Sequence, residues 1–181
     1  MKFQFNVNVT DQDYLDYNIF WMTRSLYGKK QMQTFRIVFT VLVAAVVAVY
    51  LFGNGFSADT LSMVIPMLLL YAVFQVLLKP FFAWSLKGTV KGLKKSGKMG
   101  YSPVAVLEFY QDSFVEITPE NKTEQKYTAI ERISIVDNKM LYLHVNNVMA
   151  YMLPLSCFAG KEQYDAFLEF IHTKCANIDV Y

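Results

Sequence analysis

Between Thr34 and Leu78 the alternation of apolar and polar positions gives way to two long apolar runs separated by a short turn. The first, Ile37 to Phe52, has no charge and no strong helix breaker, and eleven of its sixteen residues are Ile, Leu, Val or Phe. With its flanks it reaches about 19 residues, and at about 1.5 Å per helical residue it crosses roughly 30 Å of hydrocarbon. Each of the eleven is worth about −0.3 to −0.6 kcal/mol near a bilayer centre, so the run favours insertion by roughly 3 to 6 kcal/mol. The second run, Leu61 to Leu78, is of similar length and equally uncharged. A core hairpin of a soluble protein would keep one polar face, and these helices are apolar all round. The expectation is a transmembrane helical hairpin over 34–78.

Outside the hairpin the pattern changes period. Phe3, Phe5, Val7 and Val9 alternate with Gln4, Asn6 and Asn8, as a half-buried strand does. Thr10 and Asp13 have the spacing of a capping box, and Leu15, Ile19, Met22 and Leu26 then recur at helical intervals beside Tyr14, Tyr17, Phe20 and Trp21. Residues 1–33 thus read as a strand and an amphipathic helix, with Gly28 the expected break before the first span. Pro66 removes one backbone donor from the second span, which a neighbouring helix can offset.

Behind that span, Phe81, Phe82 and Trp84 form an aromatic belt of the kind found at a membrane interface. Lys87, Lys91, Lys94, Lys95 and Lys98 follow at helical intervals, opposed by Leu86, Val90 and Leu93. Residues 79–98 read as a basic juxtamembrane stem. Each lysine near an anionic leaflet contributes on the order of 1 kcal/mol, so the five are candidate headgroup contacts.

The segment 99–181 alternates strands with turns: Val104 to Tyr110, Phe114 to Thr118, Glu124 to Thr128, Ile130 to Val136, Leu141 to Val145 and Val148 to Leu153. An amphipathic helix from Lys161 to about Cys175 closes the chain, with Tyr164, Phe167, Leu168 and Ile171 on one face. The expected fold class is an α+β membrane protein: a two-helix transmembrane hairpin plus an antiparallel pleckstrin-like β domain with a C-terminal helix. Phe3 to Val9 is the candidate seventh strand.

Charge refines this picture. The formal net charge of +2 conceals a split: 79–98 carries six lysines and no acid, whereas 99–181 has eleven acids against six bases. Lys29, Lys30 and Arg36 precede the first span, and the linker Gly53 to Thr60 carries only Asp59. Basic flanks stay inside, so both termini are expected in the cytoplasm of a plasma-membrane protein. No signal peptide is expected, since residues 2 to 9 alternate. In that compartment Cys157 and Cys175 stay reduced and serve packing, and the sequons at Asn8 and Asn121 go unmodified. Nucleic acid is not an expected partner, because the one basic stretch adjoins the membrane.

Chemistry-bearing groups are sparse. His144 and His172 lack ligand-spaced companions, so core and surface roles are expected and no metal or cofactor. Cys157 with His172 carries no nucleophile signature. Glu116, Glu120 and Glu124 read as a solvated acidic rim. Ala44, Ala45 and Ala48 form a small-residue patch expected to meet the second span, and Gln75 is a weak pointer to helix pairing.

The run Asp13-Tyr14-Leu15-Asp16-Tyr17 entering a helix, the closely spaced membrane pair, Tyr127-Thr128-Ala129-Ile130, Leu141-Tyr142-Leu143 and Met152-Leu153-Pro154 with Phe158 together resemble the YcxB-like family of small bacterial membrane proteins. The resemblance implies a membrane-anchored cytoplasmic domain and supplies no active-site residues. The expected function is therefore a non-enzymatic binding or regulatory module acting on a protein partner. The alternative is an anionic-lipid sensor, against which Asp112 at the first turn of 99–181 speaks. A small transporter component, requiring a homo-oligomer, is least favoured because neither span contains a charge.

Overall fold

The computed structural model describes residues 1–97, 100–146 and 149–181. It is an α+β chain in which two long apolar helices interrupt a two-sheet domain. The elements run β1 (Phe3–Asn8), α1 (Asp11–Thr23), α2 (Leu26–Asn54), α3 (Ala58–Ser96), β2 (Val104–Phe109), β3 (Ser113–Ile117), β4 (Lys122–Lys126), β5 (Arg132–Val136), β6 (Met140–His144), β7 (Ala150–Pro154), α4 (Lys161–His172) and β8 (Ile178–Val180). They divide into two compact units, one of residues 1–14 with 98–181 and one of residues 15–97.

The first unit holds two four-stranded sheets, ordered β1-β2-β3-β4 and β7-β6-β5-β8. The expected seventh strand is its first: β1 pairs antiparallel with β2 over its whole length, from Phe3 opposite Phe109 to Asn8 opposite Val104. Backbone bonds bracket the pair, Lys2 N–H donating to the Phe109 carbonyl at 2.7 Å and Val9 N–H to the Pro103 carbonyl at 2.9 Å. Sequence neighbours β2, β3 and β4 form one meander and β5, β6 and β7 another.

The core explains why β1 is needed. Phe5 and Val7 are buried on its inner face, and Phe167 of α4 is wholly enclosed. Around the Phe167 ring stand Phe109 at 4.9 Å, Phe5 at 5.2 Å, Phe3 at 5.4 Å and Phe158 at 5.5 Å between centroids. Two of these four rings come from β1. Burying Phe5 and Val7 alone is worth roughly 3 to 6 kcal/mol, a large share of the ~5 to 15 kcal/mol that a domain has in total.

Several expectations are corrected in detail. The sheets do not form one continuous meander: a short 3-10 turn at Tyr127–Ala129 separates β4 from β5, and β4 lies two residues earlier than expected because Ser113 pairs with Lys126 and Ile117 with Lys122. The strand β8 was not expected; it adds to β5 in parallel, Ile133 opposite Ile178. Helix α4 ends at His172 rather than near Cys175. Asn147 and Val148, expected to turn into and open the last strand of the meander, lie outside the described residues.

At the starts of α1 and α2 the capping logic holds. Thr10 N–H donates to the Asp13 carboxylate at 2.8 Å and Asp13 N–H to the Thr10 hydroxyl at 3.2 Å, starting α1. The break before α2 falls at Ser25, whose hydroxyl caps the Gly28 N–H at 3.0 Å. Gly28 lies just inside α2, and a Cβ there would stand 1.9 Å from the Trp21 carbonyl oxygen. The close approach of the two helices at this turn admits glycine alone. Helix α3 runs without interruption through Pro66, Pro80, Gly88 and Gly92 to a left-handed cap at Gly97, so the expected stem continues the second apolar span as one helix.

The domain expected at 99–181 is thus incomplete without residues 1–9. Expressed alone, 99–181 should be aggregated or largely unfolded, whereas residues 1–9 joined by a short Gly-rich turn to 103–181 should give a soluble, cooperatively melting protein. Circular dichroism melts decide between them, and equal stability of the two fragments would contradict the assignment.

Candidate functional site

Four of the five candidate lysines can be placed. Lys87, Lys91, Lys94 and Lys95 are exposed on α3, while Val90 is buried and Leu86 and Leu93 are half-buried on the other side. Lys98 lies outside the described residues. Trp84, 72% exposed, precedes Lys87 by three residues and Lys91 by seven, so at 3.6 residues per turn it joins the lysine stripe. Phe81 pairs with Trp84 at 6.3 Å between centroids, whereas Phe82 turns toward α2 and meets Phe35 edge-on at 6.2 Å. The structure therefore splits the aromatic belt, with Trp84 beside the lysines and Phe82 in the seam between helices.

That seam is aromatic. Phe39 stands 5.0 Å from Phe74 and 6.0 Å from Tyr71 between centroids. The hydroxyls of Thr40 and Tyr71 are hydrogen bonded, and Arg36 donates through Nη2 to the Gln75 carbonyl at 3.2 Å. Pro80 has no N–H to offer the Val76 carbonyl four residues back, and the cross-helix cation engages the carbonyl next to it. The contact uses the Gln75 backbone carbonyl, which any residue would supply, and so does not bear on the expected role of its polar side chain. The alanine patch does not do what was expected of it: Ala44 and Ala45 are exposed and Ala48 is half-buried. Rings, being bulky, hold the helices apart where small residues would let them close. A cleft of about 560 Å³ results, lined by Phe39, Val43, Met67, Leu70, Phe74 and Phe81 among others. Sequence reading missed it, because no periodicity reports the gap between two apolar helices.

The chain enters and leaves the helical insertion at one place in the sheet domain. Tyr101 donates to the Asp11 carboxylate at 2.8 Å and stacks on Tyr14 at 4.8 Å; burial first, then the Asp11 bond, pushes its phenol pKa up to about 12. A Cβ on Gly100 would stand 2.9 Å from the Tyr14 hydroxyl. These contacts continue the clamp that β1 and β2 make.

Other groups are settled by the sheets. The acidic rim is not formed: Glu116 pairs opposite Leu107, on the inward face with Phe114, and its burial raises its pKa. Glu124 belongs to the opposite face and accepts from the Ser113 hydroxyl at 2.6 Å. His144 is wholly buried in β6, with Nε2 3.1 Å from the Ser134 hydroxyl. Burial, helped by Arg132 opposite it, lowers its pKa to about 4. A Ser-His pair sealed from solvent has no access to a substrate, so its role is packing. The Cys157 thiol donates to the Asn6 carbonyl at 3.2 Å, and His172 is exposed at the end of α4. Among the described residues no cluster of His, Cys, Asp or Glu suits a metal ion.

Comparison with known proteins agrees with the resemblance read in the sequence. Residues 109–171, from the end of β2 through α4, match the family model described as YcxB-like protein. The match covers β3 through α4 and leaves out β1, nearly all of β2, β8 and the helical insertion. Searches of curated proteins and of solved structures found no match.

The buried histidine makes the domain acid-sensitive. Its folded pKa lies below the unfolded value of about 6.5, so its contribution is intact above pH 6.5 and is lost as pH falls from 6.5 toward 4. The loss is on the order of 3 kcal/mol. His144→Gln should flatten the melting temperature across that window, measured on the full chain in detergent; an unchanged pH profile would contradict the assignment.

Proposed function

We propose that the chain is a membrane-anchored binding module: a pleckstrin-like domain held at the cytoplasmic face by a helical hairpin inserted in its first β connection. The observation that carries this reading is the pairing of Asn8 with Val104. Paired strands stand about 5 Å apart, so the 95 residues from Val9 to Pro103 leave and return at one point on one folded domain. Such an insertion crosses a bilayer an even number of times, and both termini then share a side whatever the flanking charges. The helices support the membrane: both are long and apolar enough to cross it, and their most apolar windows are 0% and 11% buried, where core helices of a soluble protein are mostly buried.

The sheet arrangement supports the pleckstrin-like reading. Two antiparallel meanders with a helix packed on their core match it, once β1 counts as the first strand and β8 as an addition. The first hairpin is then β1–β2, and its connection is the insertion, not the turn at Asp112. The lysines of α3 consequently lie in the loop where a headgroup-binding domain presents its bases, which favours anionic lipid as a second ligand.

Distance limits that second role. Lys87 lies nine residues, about 14 Å of helix, beyond Leu78, and Lys95 about 26 Å. The headgroup layer is about 5 to 8 Å deep and the Debye length about 8 Å. On an upright helix Lys87 feels the leaflet and Lys95 does not, so protein binding by the domain is the primary reading and lipid contact an accessory one.

Two experiments test this. In a Cys157→Ala, Cys175→Ala background, Asn54→Cys should react with an impermeant maleimide from outside the cell only; labelling from the cytosol alone would invert the scheme. Affinity capture from membranes should recover proteins with the full chain that a chain lacking β2 through β8 does not recover, and identical sets would contradict the binding role. For the accessory role, Lys87→Gln with Lys91→Gln should weaken binding to anionic vesicles more than Lys94→Gln with Lys95→Gln. Equal losses would mean that α3 lies along the surface.

A further inference from the structure

The cleft between α2 and α3 is an apolar groove that its own chain leaves unfilled, and Arg36 lies about one helical turn before its α2 lining at Phe39 and Val43. We infer that the cleft holds one acyl chain of an anionic phospholipid of the inner leaflet, with Arg36 facing the phosphate; the inference rests on the membrane reading above. Depth is the first argument. Along α3 the lining runs from Phe81 to Met67, about 21 Å; the part within the apolar run that ends at Leu78, from Leu77 to Met67, spans about 15 Å, half of a ~30 Å hydrocarbon core. The cleft therefore covers one leaflet, the one on the side of the termini. Its volume of about 560 Å³ falls within the ~300 to 1,000 Å³ of small-molecule sites, and its lining is apolar apart from the Tyr71 hydroxyl, which is bonded to Thr40.

Charge is the second argument. Residues 15–97 carry nine cations (Arg24, Lys29, Lys30, Arg36, Lys79, Lys87, Lys91, Lys94 and Lys95) against two acids, Asp16 and Asp59. Asp59 opens α3 at the far end of the hairpin. Arg36, Phe39 and Val43 follow at i, i+3 and i+7, so the guanidinium continues the stripe of α2 that lines the cleft. One of its nitrogens holds the Gln75 carbonyl, while Nε is buried with no hydrogen-bond partner among the described residues. A guanidinium one turn from an apolar groove favours a lipid whose headgroup is anionic. A second copy of the hairpin would bring the same excess of cations, whereas a phospholipid brings both the phosphate and the chain. This ligand differs from the lysine stripe, which faces the leaflet surface and encloses nothing.

The test uses the full chain in vesicles of phosphatidylglycerol and phosphatidylethanolamine. Phosphatidylglycerol carrying a diazirine near its chain end should, on illumination, label the half-buried Val43 and Met67 at the deep end of the cleft in preference to the outward-facing Val46, Val49 and Leu69. Arg36→Gln should lower the phosphatidylglycerol-to-phosphatidylethanolamine ratio of co-purified lipid to that of the bilayer, and Val73→Trp, which fills the cleft, should abolish the preferred labels. Labels spread evenly over apolar positions, a cross-linked second copy across the cleft, or an unchanged lipid ratio in Arg36→Gln would each overturn the inference. The label map is read on the unmodified chain, so a variant that fails to accumulate does not decide it. Extraction of the chain by alkaline carbonate would instead sink the membrane reading itself.

Discussion

Six residue pairs between β1 and β2 hold the two ends of the helical insertion together. They join the first strand of a sheet to a strand almost a hundred residues later, and everything between them is obliged to leave and return at one point. Closing so long a loop costs entropy that grows only slowly with its length, and the ring cluster at Phe167 offsets it with apolar burial from both sides of the insertion. The Tyr101–Asp11 bond and the Tyr14–Tyr101 stack then fix both strands of the insertion where they leave the sheet. A domain built this way is held by its own fold to whatever solvent the helices require.

Within the insertion, the choice of side chains at the helix seam matters as much as their hydrophobicity. Phe39, Tyr71, Phe74 and Phe82 space the helices, and one guanidinium and one hydroxyl pair supply the polar contacts. The alanines that would permit closer approach are turned away. An aromatic seam gives fewer dispersion contacts between backbones than a small-residue seam does, and it leaves the cleft between them. On the proposal above, that cleft and the charge excess of the same unit call for the same kind of occupant.

Much of the domain was legible from period and turn chemistry. Alternation located β1, β2, β3, β5 and β6, the Thr10–Asp13 spacing located the start of α1, and the apolar face of α4 was read correctly. What was not legible depends on partners far away in sequence. The domain boundary at residue 99 left β1 outside, although alternation made Phe3 to Val9 the candidate seventh strand, because its partner lies across the whole hairpin. Glu116 was assigned to a solvated rim because only its register with Leu107 reveals that it faces inward. The strand β8 has three residues and a parallel partner, with no turn signal to announce it. The Ala44–Ala48 patch failed for a related reason: helical rotation is set by the bulkiest pairs, and Phe39 with Phe74 outweighs three methyl groups.

The central claim is that β1 and β2 are one structural unit across the insertion. Amide hydrogen exchange on the full chain reconstituted in vesicles measures this directly. The account predicts that the Val9 amide and the inward-bonded amides of β1 exchange only through the same cooperative opening as those of β2 and β3, with equal free energies. Exchange of β1 at the rate of an unstructured segment, while β2 stays protected, would contradict it.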